Sequence, residues 1–253
     1  MTTGPSIGNL NGKRILITGS SSGLGFEVAR GLAHAGATII LNGRRPERLA
    51  VAVQQLKQEN ACVSSVCFDV TLEDEVQRGI AEAGVIDVLI NNAGIQRRGP
   101  LEEFTLAQWN EVLNANLTSC FLVAREVVRS MIERRSGKII NICSLMSDFG
   151  RAGTAPYTAS KGGLKMLTKA MCAEWARYNI QINGIAPGYF ITEMTEKLAN
   201  DPEFDAWVKK RTPAGRWGDP AELVGVAIFL SSESSSFVNG QVLYVDGGMS
   251  SVL

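Results

Sequence analysis

The chain has 253 residues, with 25 basic and 25 acidic side chains, a formal net charge of zero and a single histidine, His34. Hydrophobic residues make up 45% of it, enough to bury a sizeable core and too many for a disordered chain. Balanced charge argues against a protein that grips nucleic acid through bulk basicity, and one histidine excludes a two-histidine zinc site and most histidine-based catalysis.

Apolar runs alternate with helical spacing along the chain. Residues 14–18 read as a short buried strand, and 23–35 as a helix with Leu24, Val28, Leu32 and Ala35 on one face. Residues 38–42 form the next strand, and 46–59 a helix opening on Pro46, which a first turn tolerates. The pattern continues with a strand at 63–68, a helix at 73–83 and a strand at 86–91. A long helix over 109–135 precedes a strand at 138–142, and a helix over 156–178 precedes a strand at 180–185. A helix at 219–230 and a strand at 242–245 complete the series.

Short all-apolar strands separated by helices predict an α/β fold. We expect a single doubly wound Rossmann-type domain over residues 1–253, with a seven-stranded, mostly parallel sheet and helices on both faces. Residues 192–216 are polar and carry Pro202 and Pro213. An insertion of this kind after a strand is where such folds place substrate loops, so it reads as a mobile substrate-side lid, against a purely structural surface excursion.

Cys62, Cys67, Cys120, Cys143 and Cys172 are odd in number, scattered and without a C-x-x-C pair. This predicts reduced thiols in a cytoplasmic protein. Residues 1–13 lack the basic and apolar regions of a signal peptide, and no apolar run reaches the ~18 residues of a membrane span. No metal-ligand cluster is legible.

The first strand runs into Thr18-Gly19-Ser20-Ser21-Ser22-Gly23-Leu24-Gly25 and then a helix. Glycines let a backbone turn sharply and approach a pyrophosphate, and a helix N-terminus offers it free N–H groups. A plain structural turn is the alternative. The stretch also matches G-x-S-x-G, the nucleophile elbow of α/β-hydrolases, but no histidine follows to complete a triad. At the end of the second strand, where an acid would bind the adenosine ribose, stand Asn42-Gly43-Arg44-Arg45. Arginines suit a 2′-phosphate, so Arg44 and Arg45 predict NADP over NAD, with a solvated turn as the bland alternative.

Tyr157 and Lys161 are four residues apart, one turn on the same helix face. An ammonium beside a phenol favours the phenolate. Alone, this pair is a common chance match. Its context is Ser144 after the fifth strand, Asn91-Asn92-Ala93-Gly94 after the fourth, Asn116 within a helix and Pro187-Gly188 after the sixth.

With these motifs in this order, the chain resembles the short-chain dehydrogenase/reductase family over nearly its whole length. The resemblance implies Tyr157 as acid/base, Ser144 orienting the substrate oxygen, Lys161 on the nicotinamide ribose and Asn116 holding a water in the proton relay. It implies cofactor contacts from Gly19, Ser21, Ser22, Gly23, Leu24 and Gly25, from Asp69 and Val70 to the adenine, and from Asn92, Ala93 and Gly94. Pro187, Gly188, Phe190 and Thr192 would lie near the carboxamide. Residues 92–98, 140–144, 183–190 and 211–213 look like the gluconate 5-dehydrogenase (5-keto-D-gluconate reductase) branch, some members of which carry an acid at the position of Gly43.

Arg97 and Arg98 follow the fourth strand at the catalytic edge. Guanidinium binds carboxylate bidentately, so Arg98 is the first candidate to anchor an acidic sugar, with Arg97 and Arg151 as fallbacks and subunit packing as the alternative. The expected reaction is NADP(H)-dependent interconversion of D-gluconate and 5-keto-D-gluconate, on a surface formed by Arg98, Ser144 and Tyr157. The competing readings are a 3-oxoacyl-thioester reductase, another sugar or polyol dehydrogenase, or a non-catalytic NADP-binding module. The resemblance further implies a homotetramer, with residues 223–230 and 238–253 as contacts.

Overall fold

Seven short strands, each apolar on both faces, form one sheet in the computed structural model, which describes residues 8–193 and 195–252. The strands are β1 (Arg14–Ile17), β2 (Thr38–Gly43), β3 (Val63–Cys67), β4 (Val88–Asn91), β5 (Gly137–Ile142), β6 (Ile180–Pro187) and β7 (Val242–Val245). Their order is β3-β2-β1-β4-β5-β6-β7, and every neighbouring pair is parallel, so the sheet is more uniform than the mostly parallel one expected.

Side chains alternate across the sheet and feed two cores. Ile15, Ile17, Ile39, Leu41, Val88 and Ile90 pack against helices α1 (Gly23–His34), α2 (Pro46–Gln58) and α9 (Val224–Ser231). Leu16, Ile40, Leu89, Ile139 and Ile182 face helices α3 (Glu73–Ala83), α5 (Ser119–Arg134) and α6 (Ala155–Trp175). Burial on both faces explains why these strands read as continuous apolar runs. The order reverses at β1, which pairs with both β2 and β4, and a crevice opens beyond the carboxyl ends of the strands there.

Three elements differ from expectation. The single helix expected over 109–135 begins earlier, as α4 (Leu106–Leu113), where Thr105 and Gln108 form a reciprocal capping box. It then widens into a π turn over Asn114–Thr118 before α5. The insertion at 192–216 is helical in part, with α7 (Glu196–Ala199) and α8 (Pro202–Arg211), the latter capped by Asp201. The helix expected from 219 opens as a 3₁₀ turn, Pro220–Leu223, before α9. In that segment Leu223, Ala227 and Leu230 are buried in the chain's own core, so only its other residues remain for a subunit contact. Leu253 and most of the expected leaderless N-terminal stretch lie outside the described residues.

Candidate active site

The glycine turn after β1 is interlocked with the turn after β4. Gly19 and Gly23 have φ of +61° and +62°, which side chains disfavour. A Cβ on Gly19 would lie 2.8 Å from Ala93 Cα, and one on Gly25 only 2.4 Å from Asn92 Nδ2. The Thr18 hydroxyl accepts from the backbone N–H of Asn92 (3.0 Å) and Ala93 (3.1 Å), while Asn92 Nδ2 donates to the carbonyls of Thr18 (2.9 Å) and Gly19 (3.0 Å). Asn92 thus braces the turn, while still lining the cavity.

Two further residues, not singled out from the sequence, hold the turn from the β2 side. Buried Asn42 accepts from Gly19 N–H (3.3 Å) and donates to Val66 and Phe68 carbonyls at 3.3 and 3.1 Å. Buried Ser20 donates to Ile17 O at 2.7 Å and accepts from Asn42 N–H at 3.1 Å. A polar residue ending an apolar strand, as Asn42 does, was the available signal.

A cavity of about 720 Å³ runs along the strand ends. All the residues expected to contact a cofactor line it, from Gly19 to Thr192. Its fit to a dinucleotide can be judged from the cradle itself. Ser22 makes no side-chain cap on α1, so the first-turn N–H groups have no side-chain partner there, and the cavity wall is Gly23, Leu24 and Gly25. A diphosphate matches that donor set. At the far wall Gly188 permits close strand packing, since a Cβ would meet Asp246 Cα at 2.7 Å. Beyond Pro187, Phe190 is buried against Gly218, and Thr192 N–H is bound to Thr195 Oγ1 at 2.9 Å.

At the end of β2, Gly43 stands where a carboxylate would exclude a 2′-phosphate. Arg44 and Arg45 are exposed at the cavity rim. Arg44 Nη1 lies 3.4 Å from Asp69 Oδ2. Partial burial raises the Asp69 pKa, but bonds from the Thr71 N–H (2.9 Å) and hydroxyl (2.7 Å), together with Arg44, bring it below its ordinary value. This long, exposed ion pair is weak, so the guanidinium is available to a phosphate. Val70, next to Asp69, is buried against the same wall.

The expected catalytic side chains come from three elements. Ser144 ends β5 and opens a 3₁₀ turn; its Oγ accepts from Met146 N–H at 3.2 Å, leaving its own proton to donate. Tyr157 and Lys161 lie on α6, the tyrosine half-buried and the lysine buried. Lys161 Nζ donates to Ile142 O at 2.6 Å and stands 5.7 Å from the centre of the Tyr157 ring. Ser144, Tyr157 and Lys161 line the cavity.

Asn116 is completely buried in the π turn. Its Oδ1 accepts from Ile95 N–H at 2.7 Å, and its Nδ2 donates to Ile95 O at 2.9 Å and Ser160 Oγ at 3.1 Å. The amide is committed to joining the β4 turn to α6, and Asn116 is not part of the cavity wall. Cys143, beside Ser144, is no competing nucleophile: burial pushes its thiol up to about 11.

The substrate end separates the three candidate arginines. Arg97 forms a bidentate pair with Glu111 at 2.9 and 3.0 Å and does not line the cavity. Arg98 does line it, with Gln96 Oε1 as its polar partner at 3.4 Å. Burial and repulsion from Arg151 hold its guanidinium below its ordinary pKa. Arg151 lines the same cavity and donates to Tyr189 OH at 2.7 Å. Among the described residues no group of three His, Cys, Asp or Glu side chains is placed to hold a metal, and no helix is long and apolar enough to cross a membrane.

Comparison with known proteins agrees with this architecture. The family model for short chain dehydrogenase matches residues 13–203. The gluconate 5-dehydrogenase of Gluconobacter oxydans is 54% identical over 249 residues, covering 97% of each chain. The 5-keto-D-gluconate 5-reductase of Escherichia coli K12 is 55% identical over 245 residues, covering 95% of this chain and 96% of the relative. The crystal structure of a gluconate 5-dehydrogenase from Burkholderia cenocepacia, in complex with NADP and tartrate, is 50% identical, covers 98% of each chain and superposes with a TM-score of 0.95. By fold, by family model and by these relatives, the chain belongs to the short-chain dehydrogenase family.

Proposed function

We propose that this protein is an NADP(H)-dependent oxidoreductase that interconverts D-gluconate and 5-keto-D-gluconate, with Tyr157 as the acid/base. The observation that carries the reading is the pairing of two arginines without carboxylate partners, Arg98 and Arg151, with Ser144, Tyr157 and Lys161 in one cavity. The names of the relatives support the same substrate. We read the whole chain as one dinucleotide-binding domain with residues 192–216 as its lid.

Bound NADP(H) supplies the redox chemistry, accepting or giving the hydride at C5. The chain's own residues handle the proton and the charge. In oxidation the Tyr157 phenolate takes the C5 hydroxyl proton, and in reduction the phenol returns it. Ser144 donates to the same oxygen and fixes its position. Lys161, tied to Ile142 O, places its charge where it stabilises the phenolate and offers donors to a ribose. Arg98 grips the substrate carboxylate. Asn116 supports the relay by holding Ile95 and Ser160 in place, and Arg44 and Arg45 receive the 2′-phosphate.

Five unpaired cysteines support a cytoplasmic location. β7, an edge strand whose four residues are all partly exposed, supports assembly into a tetramer. NADPH oxidation with 5-keto-D-gluconate, set beside an acetoacetyl thioester and with NADH as control, tests the function. Turnover preferring 5-keto-D-gluconate and NADPH is expected. Preference for the thioester would replace the sugar acid with a 3-oxoacyl substrate.

A further inference from the structure

We infer that Arg151 is a specificity-determining residue, held by an aromatic box on the lid so that it grips the substrate carboxylate together with Arg98. The inference rests on the reading of the cavity as a sugar-acid site.

Arg151 lies in the loop between Ser144 and Tyr157, and its carbonyl accepts from Thr154 Oγ1 at 2.8 Å. Its guanidinium stands over the Phe204 ring at 4.3 Å and the Trp207 ring at 4.9 Å, both from α8, and donates to Tyr189 OH at the exit of β6. Tyr189 in turn meets Phe204, Trp207 and Trp217 edge-on at 5.6 to 5.7 Å. The Trp217 indole N–H donates to Asp205 at 2.9 Å, which ties the box to the body of α8.

Aromatic faces attract a cation while leaving it without a counter-charge. Arg151 uses one of its five N–H donors on Tyr189 and has no carboxylate partner among the described residues. Arg98 is close enough to be repelled by it and also lacks a carboxylate partner. Two unneutralised guanidiniums held side by side form a receptor for an anion. Trp207 remains 43% exposed, an unusual position for a large aromatic whose other face holds an arginine. The box also explains why a lid that reads as polar contains so many rings: they position the arginine that defines the substrate.

The test uses Arg151→Met, which keeps an apolar stem in the box, and Trp207→Leu, which keeps the charge and loosens its seat. Losing one bidentate charge-assisted contact should raise KM for gluconate about ten- to a hundredfold, with kcat changed far less and the Kd of NADPH unchanged. Trp207→Leu should raise that KM by a smaller factor. A second readout needs no turnover. Tartrate added to the wild-type enzyme should change tryptophan emission saturably, and both variants should lose the change. Unchanged KM in Arg151→Met, or loss of kcat with KM retained, overturns the inference, as does a wild-type enzyme blind to tartrate. A wild-type enzyme that ignores gluconate but gives the Arg151-dependent tartrate signal would overturn the assigned reaction and uphold the carboxylate site.

Discussion

Replacing Gly25 with alanine tests whether the cofactor cradle depends on contact between the turns after β1 and β4. The new Cβ would lie 2.4 Å from Asn92 Nδ2 and 2.9 Å from the Gly19 carbonyl oxygen. The backbone oxygen cannot swing aside, and Asn92 can do so only by breaking its bonds to Thr18 O and Gly19 O. Two lost hydrogen bonds cost about 1 kcal/mol each, and the overpacking costs about 1–3 kcal/mol more. Alanine's better helix propensity offsets about 1 kcal/mol of this. The net destabilisation is about 2–4 kcal/mol, which for a chain of this length lowers Tm by roughly 5–15 °C. Thermal unfolding followed by circular dichroism reads that shift, and NADPH fluorescence reads an accompanying loss of affinity of about tenfold or more. Gly225→Ala is the control, since no atom lies within 4 Å of its added Cβ; the exposed α9 position should keep or raise Tm. A Gly25→Ala protein with wild-type Tm and wild-type NADPH affinity would refute the interlock.

Two other expectations are independent of it. Arg44→Ser with Arg45→Ser should weaken NADPH by about ten- to a hundredfold and leave NADH nearly unchanged, because only the former loses charge-assisted bonds to a 2′-phosphate; equal losses in titrations of both would count against that role. Lys138, almost fully buried at the start of β5 and donating to Gln181 Oε1 and Ser235 Oγ, has its ammonium pushed down to about 8, chiefly by burial. The unfolded chain then binds more protons than the folded one between about pH 8 and 10.5, so this group makes stability rise with pH across that window, by on the order of 3 kcal/mol. Denaturant unfolding of wild type and Lys138→Met from pH 7 to 10.5 should show that rise in the difference between them, and parallel curves would refute it.

The strands were legible because each is a short apolar run buried on both sides, and most boundaries fall within a residue or so of expectation. β4 begins later than its apolar run because Asp87 is held outside the strand by side-chain bonds, its carboxylate accepting from Arg14 N–H and Arg134. The π turn at Asn116 was not legible, since a single widened turn leaves helical spacing almost intact. The start of α4 was legible in Thr105 and Gln108 and was overlooked. α8 carries Asp201-Pro202-Glu203 at its head and Lys209-Lys210-Arg211 at its tail, a complete set of end signals, but its few buried positions let polarity dominate. Neighbouring Arg97 and Arg98 could not be told apart, because the deciding residue, Glu111, approaches only through the fold. The same holds for Arg151, whose role depends on rings more than thirty residues away.

The central claim is that Tyr157 moves the proton, and Tyr157→Phe tests it with the loss of one oxygen. Steady-state turnover of 5-keto-D-gluconate, measured beside NADPH binding on the same preparation, should show kcat reduced by about a hundredfold or more with Kd for NADPH retained. A phenylalanine variant that binds NADPH normally and turns over at close to the wild-type rate would contradict the assignment.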